Sequence, residues 1–376
     1  MSWRDCKLGD VITLKRGHDL PASQRQDGEV PIVSSSGVTG RHSEPKAKAP
    51  GVITGRCGTL GEVFYVEEDY WPLNTALYVT DFKGNHSRFV AYFLQNVLIN
   101  YQSDKAAVPG VNRNVLHELK VRCPDNYAQE RIADFLSAYD DLIENNRRRM
   151  ALLEAAAQHL YQEWFVRLRF PGCKRFRITK GVPEGWDTQA LDELCRIGRG
   201  ASPRPIAAFM GGDVPWFKIG DATASESPFI FSTREHVTQD GAKKSMMLDP
   251  GALILSNSAT CGIPYFTAVA GCVHDGWLHF SDLKRLSRQF LYCFLYSKRV
   301  ELVCSVGDGS TQKNLNTAAV GRLKVTLPRT NSLLARFDEA VTPMFSMILN
   351  LATQNQRLRA ARDLLLPRLM NGEFMV

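Results

Sequence analysis

WRDCKLGDVITLKRG, residues 3–17, returns as WDTQALDELCRIGRG, residues 186–200, and this recurrence decides the fold. A Trp, a Leu five positions on, an acidic residue, an apolar pair and a closing Arg-Gly keep one register in both stretches. Outward from them the match continues in order. VPIVSSSG from Val30 answers VPWFKIGD from Val214, and PGVITGRCGTLGEVFYV from Pro50 answers PGALILSNSATCGIPYF from Pro250. FVAYFLQN from Phe89 answers FLYCFLYS from Phe290, and each half closes on Leu-Lys-Val and a proline, at 119–124 and 323–328. Single matches are modest, but their shared order marks an internal repeat of two halves.

Short β-branched and aromatic runs punctuated by Gly, Pro, Ser and Asn predict a loop-rich, β-containing domain in each half. One helix is expected inside each, around Arg88–Leu98 and Ser287–Val300. The texture then changes. From about Asn126 to Arg167 and from about Asn331 to Met370, Gly and Pro nearly vanish and apolar residues recur at a 4,3,4,3 spacing. The first seam is Ile132, Leu136, Tyr139, Ile143, Asn146, Met150, Leu153, Ala157, Leu160 and Trp164. The second is Phe337, Val341, Met344, Ile348, Leu351, Asn355, Leu358, Arg362, Leu365 and Leu369. Such heptads predict a coiled-coil pair, each seam about 50 Å long at about 1.5 Å per residue.

Antiparallel pairing with matched ends sets Asn146 against Asn355, Met150 against Leu351 and Leu160 against Val341, with Ile143 and Leu358 beside the Asn pair. Facing Asn side chains satisfy each other and fix the register. A parallel pair leaves Asn146 against Leu351, and a third reading puts both Asn at wet, frayed edges. Pro343 is expected to kink the second helix or mark its start, and Arg362 to pass its charge beyond Tyr139 to water.

The chain has 376 residues, 44% hydrophobic and 23% charged, which fits a protein of two or more globular domains. No apolar run reaches the length of a membrane span, and MSWRDCKLGD lacks the apolar core of a signal peptide, so a cytoplasmic location is expected. Nine Cys without a CxxC pair fit reduced thiols. A net charge of +7 leans toward a polyanionic partner. Cys261, Cys272, His274 and His279 match no common zinc spacing, and no metal is expected. Glu118-Leu119-Lys120 resembles a nuclease Glu-x-Lys, but its counterpart is Arg322-Leu323-Lys324. No phosphate-binding Gly-x4-Gly-Lys motif and no Asn/Asp-Pro-Pro-Tyr tetrapeptide occurs, so no catalytic residue is expected.

AQERIADFLSAYDDLIENNRRRMALLEAAAQHLYQEWFVRLRFPG (128–172), LLLPRLMNGEF (364–374) and VPEGWDTQALDELCRIGRGASP (182–203) resemble the specificity subunits of type I restriction–modification systems. The resemblance spans essentially the whole chain and implies an α+β fold. Two target recognition domains (1–125 and 171–328) would be separated by two long antiparallel coiled-coil helices (126–170 and 329–376) in a pseudo-twofold repeat. It also implies double-stranded DNA as partner, each domain reading one half of a bipartite, asymmetric site. Two modification subunits and the restriction subunits would join it, with S-adenosylmethionine, ATP and Mg on those partners and no cofactor here.

Base reading needs polar side chains on loops that reach the major groove. The candidates in the first half are Lys15, Arg16, Ser35, Arg41, Arg56, Thr59 and the loop Asn112, Arg113 and Asn114. In the second half they are Arg199, Arg204, Lys218 (with Asp221), Asn257 and Thr260, with Ser310, Thr311, Gln312 and Lys313 as the counterpart of the 112–114 loop. For any one of them a solvated loop is the plain alternative, and for the Lys and Arg phosphate contact is expected ahead of base contact. Arg147-Arg148-Arg149 reads as a solvated helix face, or as a contact over unread DNA or a partner subunit. An enzyme and a protein-binding coiled-coil scaffold are the competing readings of the whole.

Overall fold

A computed structural model describes residues 2–56, 61–99, 101, 111–258, 260–305 and 315–374. It divides into two units, one of residues 1–143 with 357–376, the other of residues 144–356. Each unit therefore holds one globular domain and part of both long helices.

In the first unit, strand Trp3–Lys7 pairs antiparallel with Lys120–Pro124, from Trp3 opposite Pro124 to Lys7 opposite Lys120. In the second, Trp186–Ala190 pairs with Lys324–Pro328, Trp186 opposite Pro328 and Ala190 opposite Lys324. The repeated Trp and the repeated Leu-Lys-Val thus meet as one ladder in each half. Beyond it lies a sheet of Thr13–Arg16, Ala76–Asp81, Gly51–Gly55 and Val63–Val66, in that order. The second unit's counterpart runs Arg196–Arg199, Trp277–Ser281, Leu253–Ser256 and Pro264–Thr267, with Phe229–Ile230 added at the edge.

The central strands are apolar on both faces because both faces are covered. Side chains alternate across a strand. Val52 packs with Leu14, Phe89, Phe93 and the long helices, while Ile53 joins Val33, Tyr70 and Tyr78 on the other side. Leu253 and Leu255 likewise face Phe290 and Phe294, and Ile254 faces Phe217 and Trp277. The helices behind these sheets are Ser87–Ile99 and Arg288–Ser297, the latter capped by Ser287.

The long helices run Asn126–Tyr161, continued by a π-turn Gln162–Val166, and Ser332–Met370. They are antiparallel in each unit. In the second, Asn146 Nδ2 donates to Asn355 Oδ1 at 2.9 Å and the rings of Trp164 and Phe337 lie 6.0 Å apart. In the first, Arg362 Nη1 donates to Asp140 Oδ1 at 2.5 Å. The two Asn are 5% and 3% exposed, so they form a buried pair and not a wet edge. Ile143 is buried and Leu358 half-buried.

Three expectations change. Arg362 does not reach past Tyr139 to water; Asp140 and Asp363 hold it, because a seam cation needs a counter-charge once half-buried. Pro343 does not mark the start of its helix, which begins at Ser332 and runs through it. The strict seven-residue seam also drifts at the second unit's end. Tyr161 and Phe165 are buried there, whereas Leu160 and Trp164 are half-buried. An α-helix turns every 3.6 residues, not 3.5, and the π-turn shifts the face further.

Candidate nucleic-acid interface

The repeated Arg-Gly ends the second strand of each domain, and its geometry organises the polar rim. A Cβ on Gly17 would stand 2.1 Å from Leu73 O, and on Gly200 2.2 Å from His274 O, so only glycine allows this approach. Gly17 N donates to Ala76 O, and Gly200 N to Trp277 O. The loops Leu73–Thr75 and His274–Gly276 are therefore equivalent. Onto them fold Arg56, whose N donates to Thr75 O at 2.9 Å, and Asn257, whose N donates to Gly276 O at 2.9 Å.

In the second domain several candidates converge on that loop. Asp275 O accepts from Arg199 Nε at 2.8 Å and Asn257 Nδ2 at 3.0 Å, and Asp275 Oδ1 accepts from Ser202 Oγ at 3.1 Å. The rings of Trp216 and His274 meet at 5.2 Å. Lys218 Nζ lies 4.7 Å from the Trp216 ring centroid and 2.5 Å from Glu235 Oε1. Burial holds His274 below its usual pKa, and Lys218, Arg199 and Arg204 add to this against the pull of Asp275. Burial and the neighbouring cations thus favour the neutral imidazole, while Asp275 Oδ1, 2.9 Å from Nε2, favours the charged one. Asn257 is fully buried, so it braces the loop instead of presenting an edge to solvent. Asp221 accepts from Lys218 N and Arg234 N, and Thr260 O accepts from Ser256 Oγ.

The first domain repeats the theme with other side chains. Lys15 and Arg16 are exposed at the strand end. His18 Nε2 lies 3.2 Å from Tyr78 Oη; burial first, then Lys15 and Lys46, lower its pKa. Lys46 Nζ is 5.3 Å from the Trp71 ring centroid. Ser35 N donates to Thr75 Oγ1 at 3.4 Å. Arg41 Nη1 donates to Glu29 O, just ahead of the neighbouring strand, and lies 3.6 Å from Glu29 Oε2. Among the described residues Arg56 Nε and Asn257 Oδ1, at equivalent places, lack partners, as do the indole N–H groups of Trp71 and Trp216.

The Asn112–Asn114 loop is matched differently than its sequence indicates. Val111 N donates to Arg56 O and Leu315 N to Asn257 O, both at 2.8 Å, so the counterpart of Asn112 is Asn316 and not Ser310–Lys313. Both Asn are N-caps: Asn112 Oδ1 accepts from Asn114 N and Asn316 Oδ1 from Ala319 N. Arg113 and Asn114 remain exposed on that first turn. Thr59, Ser310, Thr311, Gln312 and Lys313 lie outside the described residues.

Arg147 has acidic partners. It grips Glu226 with Nε at 2.7 Å and with Nη2, and Arg148 pairs with Glu144 at 2.9 Å. Cys261 and Cys272 are buried; Cys261 Sγ lies 3.1 Å from Asn257 O and Cys272 Sγ 3.7 Å from Met247 Sδ. Glu118 forms an exposed ion pair with Lys7 at 2.6 Å. No helix among the described residues is long and apolar enough to cross a membrane. The residues that sequence reading passed over are His18, Lys46, Trp71, Ser202, Trp216, Glu235 and Asp275, with His274 weighed only as a metal ligand. The one signal was for His18 and Ser202, close behind the repeated Arg-Gly, and for Trp216, in the strand that answers Val30–Ser34; Lys46, Trp71, Glu235 and Asp275 carried none.

Comparison with known proteins agrees with this repeated plan. The chain is 27% identical to the type I restriction enzyme MjaIX specificity subunit of Methanocaldococcus jannaschii, over 73% of this chain and 65% of that one. It therefore spans just under two thirds of that relative's length. It is 24% identical to the type I restriction enzyme HindI specificity subunit of Haemophilus influenzae, over 73% of each. The crystal structure of a type I restriction–modification system S subunit from M. genitalium shares the fold at TM-score 0.60 and 14% identity, covering 98% of this chain and 96% of that one. The model of the type I restriction modification DNA specificity domain matches twice, at residues 2–155 and 183–333, so the chain belongs to that family.

Proposed function

We propose that this chain is the DNA-reading subunit of a type I restriction–modification complex, each domain reading one half of a bipartite, asymmetric site. One observation carries the reading: the two domains hold the same backbone frame but line its rim with different side chains. Arg16 and Arg199 recur at one place in the frame, but Ser34 stands where Lys218 does, and the half-buried Arg56 where the interior Asn257 does. A shared frame with unlike donors and acceptors is what two unlike half-sites require. Cations such as Lys15, Arg16 and Arg204 would meet phosphates or guanine edges.

In this reading the helices, about 55 Å long at about 1.5 Å per residue, set the unread spacer and dock two modification subunits. Restriction subunits would complete the cutting form. Adenine methylation with S-adenosylmethionine, and ATP- and Mg-dependent cleavage, would reside on those partners, and this chain would position them on DNA.

The test mixes the purified chain with its modification subunits and maps protected and methylated DNA. One bipartite sequence is expected. Exchanging residues 1–125 for those of a relative should alter one half-site only, and alteration of both would refute independent reading. Failure of the complex to bind any DNA would favour a protein-binding scaffold.

A further inference from the structure

The strap between the first long helix and the second domain concentrates the charge of the protein. Residues 164–183 carry Arg167, Arg169, Lys174, Arg175, Arg177 and Lys180 and no acid. Without these six, the chain's 46 cations and 39 acids would reduce to 40 and 39, so the strap supplies six of the +7 net charge. Glu163 pairs with Arg167 at 2.5 Å and lies 3.6 Å from Arg169. Lys174, Arg175, Arg177 and Lys180 are exposed and have no ion pair among the described residues.

The strap is a built element. Phe170 is 5% exposed and packs on Trp186 at 5.2 Å and on Phe176 at 5.4 Å, which pins the segment to the second unit's core. Cys173–Arg175 forms a 3-10 turn, after which Ile178 pairs with Pro183 and Thr179 with Val182 in a small hairpin. Glu184 N closes it onto Arg177 O at 2.8 Å. At the tip Lys180 and Gly181 have φ of +50° and +79°, the pattern of a tight hairpin turn. Lysine is a poor choice for a left-handed position, where Gly or Asn is favoured.

We propose that this strap is a second, sequence-independent DNA contact, with Lys174, Arg175, Arg177 and Lys180 gripping the phosphate backbone of the duplex. It rests on the DNA-reading function proposed above and adds to it a contact that reads no bases. Four exposed cations, two on the 3-10 turn, one before the hairpin and one at its tip, complement a polyanion of regular charge spacing. Phosphate contacts place the protein without informing sequence, and each one displaces condensed counterions.

The test uses the full chain assembled with its modification subunits and a duplex lacking the recognition sequence. Binding is measured across a salt series for the wild type and for K174Q/R175Q/R177Q/K180Q. Each phosphate contact contributes about 0.9 to the slope of log K against log salt, so the slope should flatten by up to about 3.6. Affinity for site-bearing and site-free duplex should fall by the same factor. The charge-keeping variant K174R/R175K/R177K/K180R should retain the wild-type slope. An unchanged slope in the glutamine variant overturns the clamp. So does loss of the modification subunits with the slope of the assembled fraction intact, which would reveal an acidic protein surface as the partner. If the wild type binds neither duplex, the DNA-reading function itself fails, and the clamp with it.

Discussion

Arg56 in the first domain and Asn257 in the second receive and donate the same backbone hydrogen bonds, yet one side chain is a half-buried cation and the other a fully buried amide. The same holds one layer back, where Ala91 of FVAYFLQN occupies the place that Tyr292 takes in FLYCFLYS. There Tyr292 Oη donates to Glu154 Oε1 on the first long helix at 2.5 Å. In the first unit Tyr92, one position on, donates instead to Asp140. The difference teaches where a duplicated frame is rigid. Buried backbone groups must keep their partners in both copies, whereas side chains can change wherever another arrangement satisfies them. A rim that faces outward has the fewest such obligations.

The helix junctions sharpen this contrast. The second unit closes on an aromatic nest of Tyr161, Trp164, Phe165, Phe290 and Phe337, with Phe165 4.9 Å from Phe290 and 5.2 Å from Phe337. The first closes on Ile132, Ala133, Leu136, Leu366 and Leu369. Phe337→Ala should therefore cost about 3–5 kcal/mol, through lost burial and the cavity left behind. Urea unfolding with a probe in each domain should show the loss in the second domain's transition. A cost below about 1 kcal/mol would mean that the nest does not hold that end.

A smaller effect tests the Asn pair. Asn146→Leu removes the donor that Asn355 Oδ1 accepts from in the buried seam and should destabilise by about 1–3 kcal/mol. The double variant N146L/N355L should lose less than the sum of the two singles, because two apolar side chains facing each other no longer bury a lone amide. A double variant as unstable as the sum of both singles would break the view of the pair as a mutual device for register.

The smallest effect is a pH dependence confined to one half. Burial raises Glu154 above its ordinary pKa of 4.5, with the Tyr292 hydroxyl pulling the other way. A carboxyl raised on folding gives its full stabilisation below the unfolded value, and that contribution is lost as pH rises through the folded value. Glu154→Gln stays neutral and can still accept from Tyr292. It should match the wild type near pH 4 and gain on it as pH rises toward 7. Denaturation midpoints across that range would show this, and a constant gap at every pH would refute it.

Much of this architecture was legible in residue order. The Arg-Gly at 16–17 and 199–200 marked a strand end where any Cβ would strike the facing carbonyl. Leu-Lys-Val at 119 and 323 marked the closing strands, and the lone Asn of each seam predicted the pairing that forms. The site was far less legible. Asn257 looked like a reading residue and is interior; Arg41, Arg147 and Lys218 looked available and have acidic partners. Those partners, Glu29, Glu226 and Glu235, lie on other turns or strands, and no local pattern announces such a pairing.

The sequence by itself determined the repeat, the strand-rich halves, the antiparallel pairing of the helices and the excess of positive charge. Each of these depends on local periodicity or on composition, which survive without knowledge of long-range contacts. Tertiary structure decided which polar groups share a rim. It brought Arg199, Lys218 and His274 to one loop, matched Asn112 to Asn316, and turned the seam onto Tyr161 and Phe165. These outcomes depend on strand register, on close backbone approach and on the 3.6-residue turn accumulating along a helix, and such distances exist only once the chain has folded.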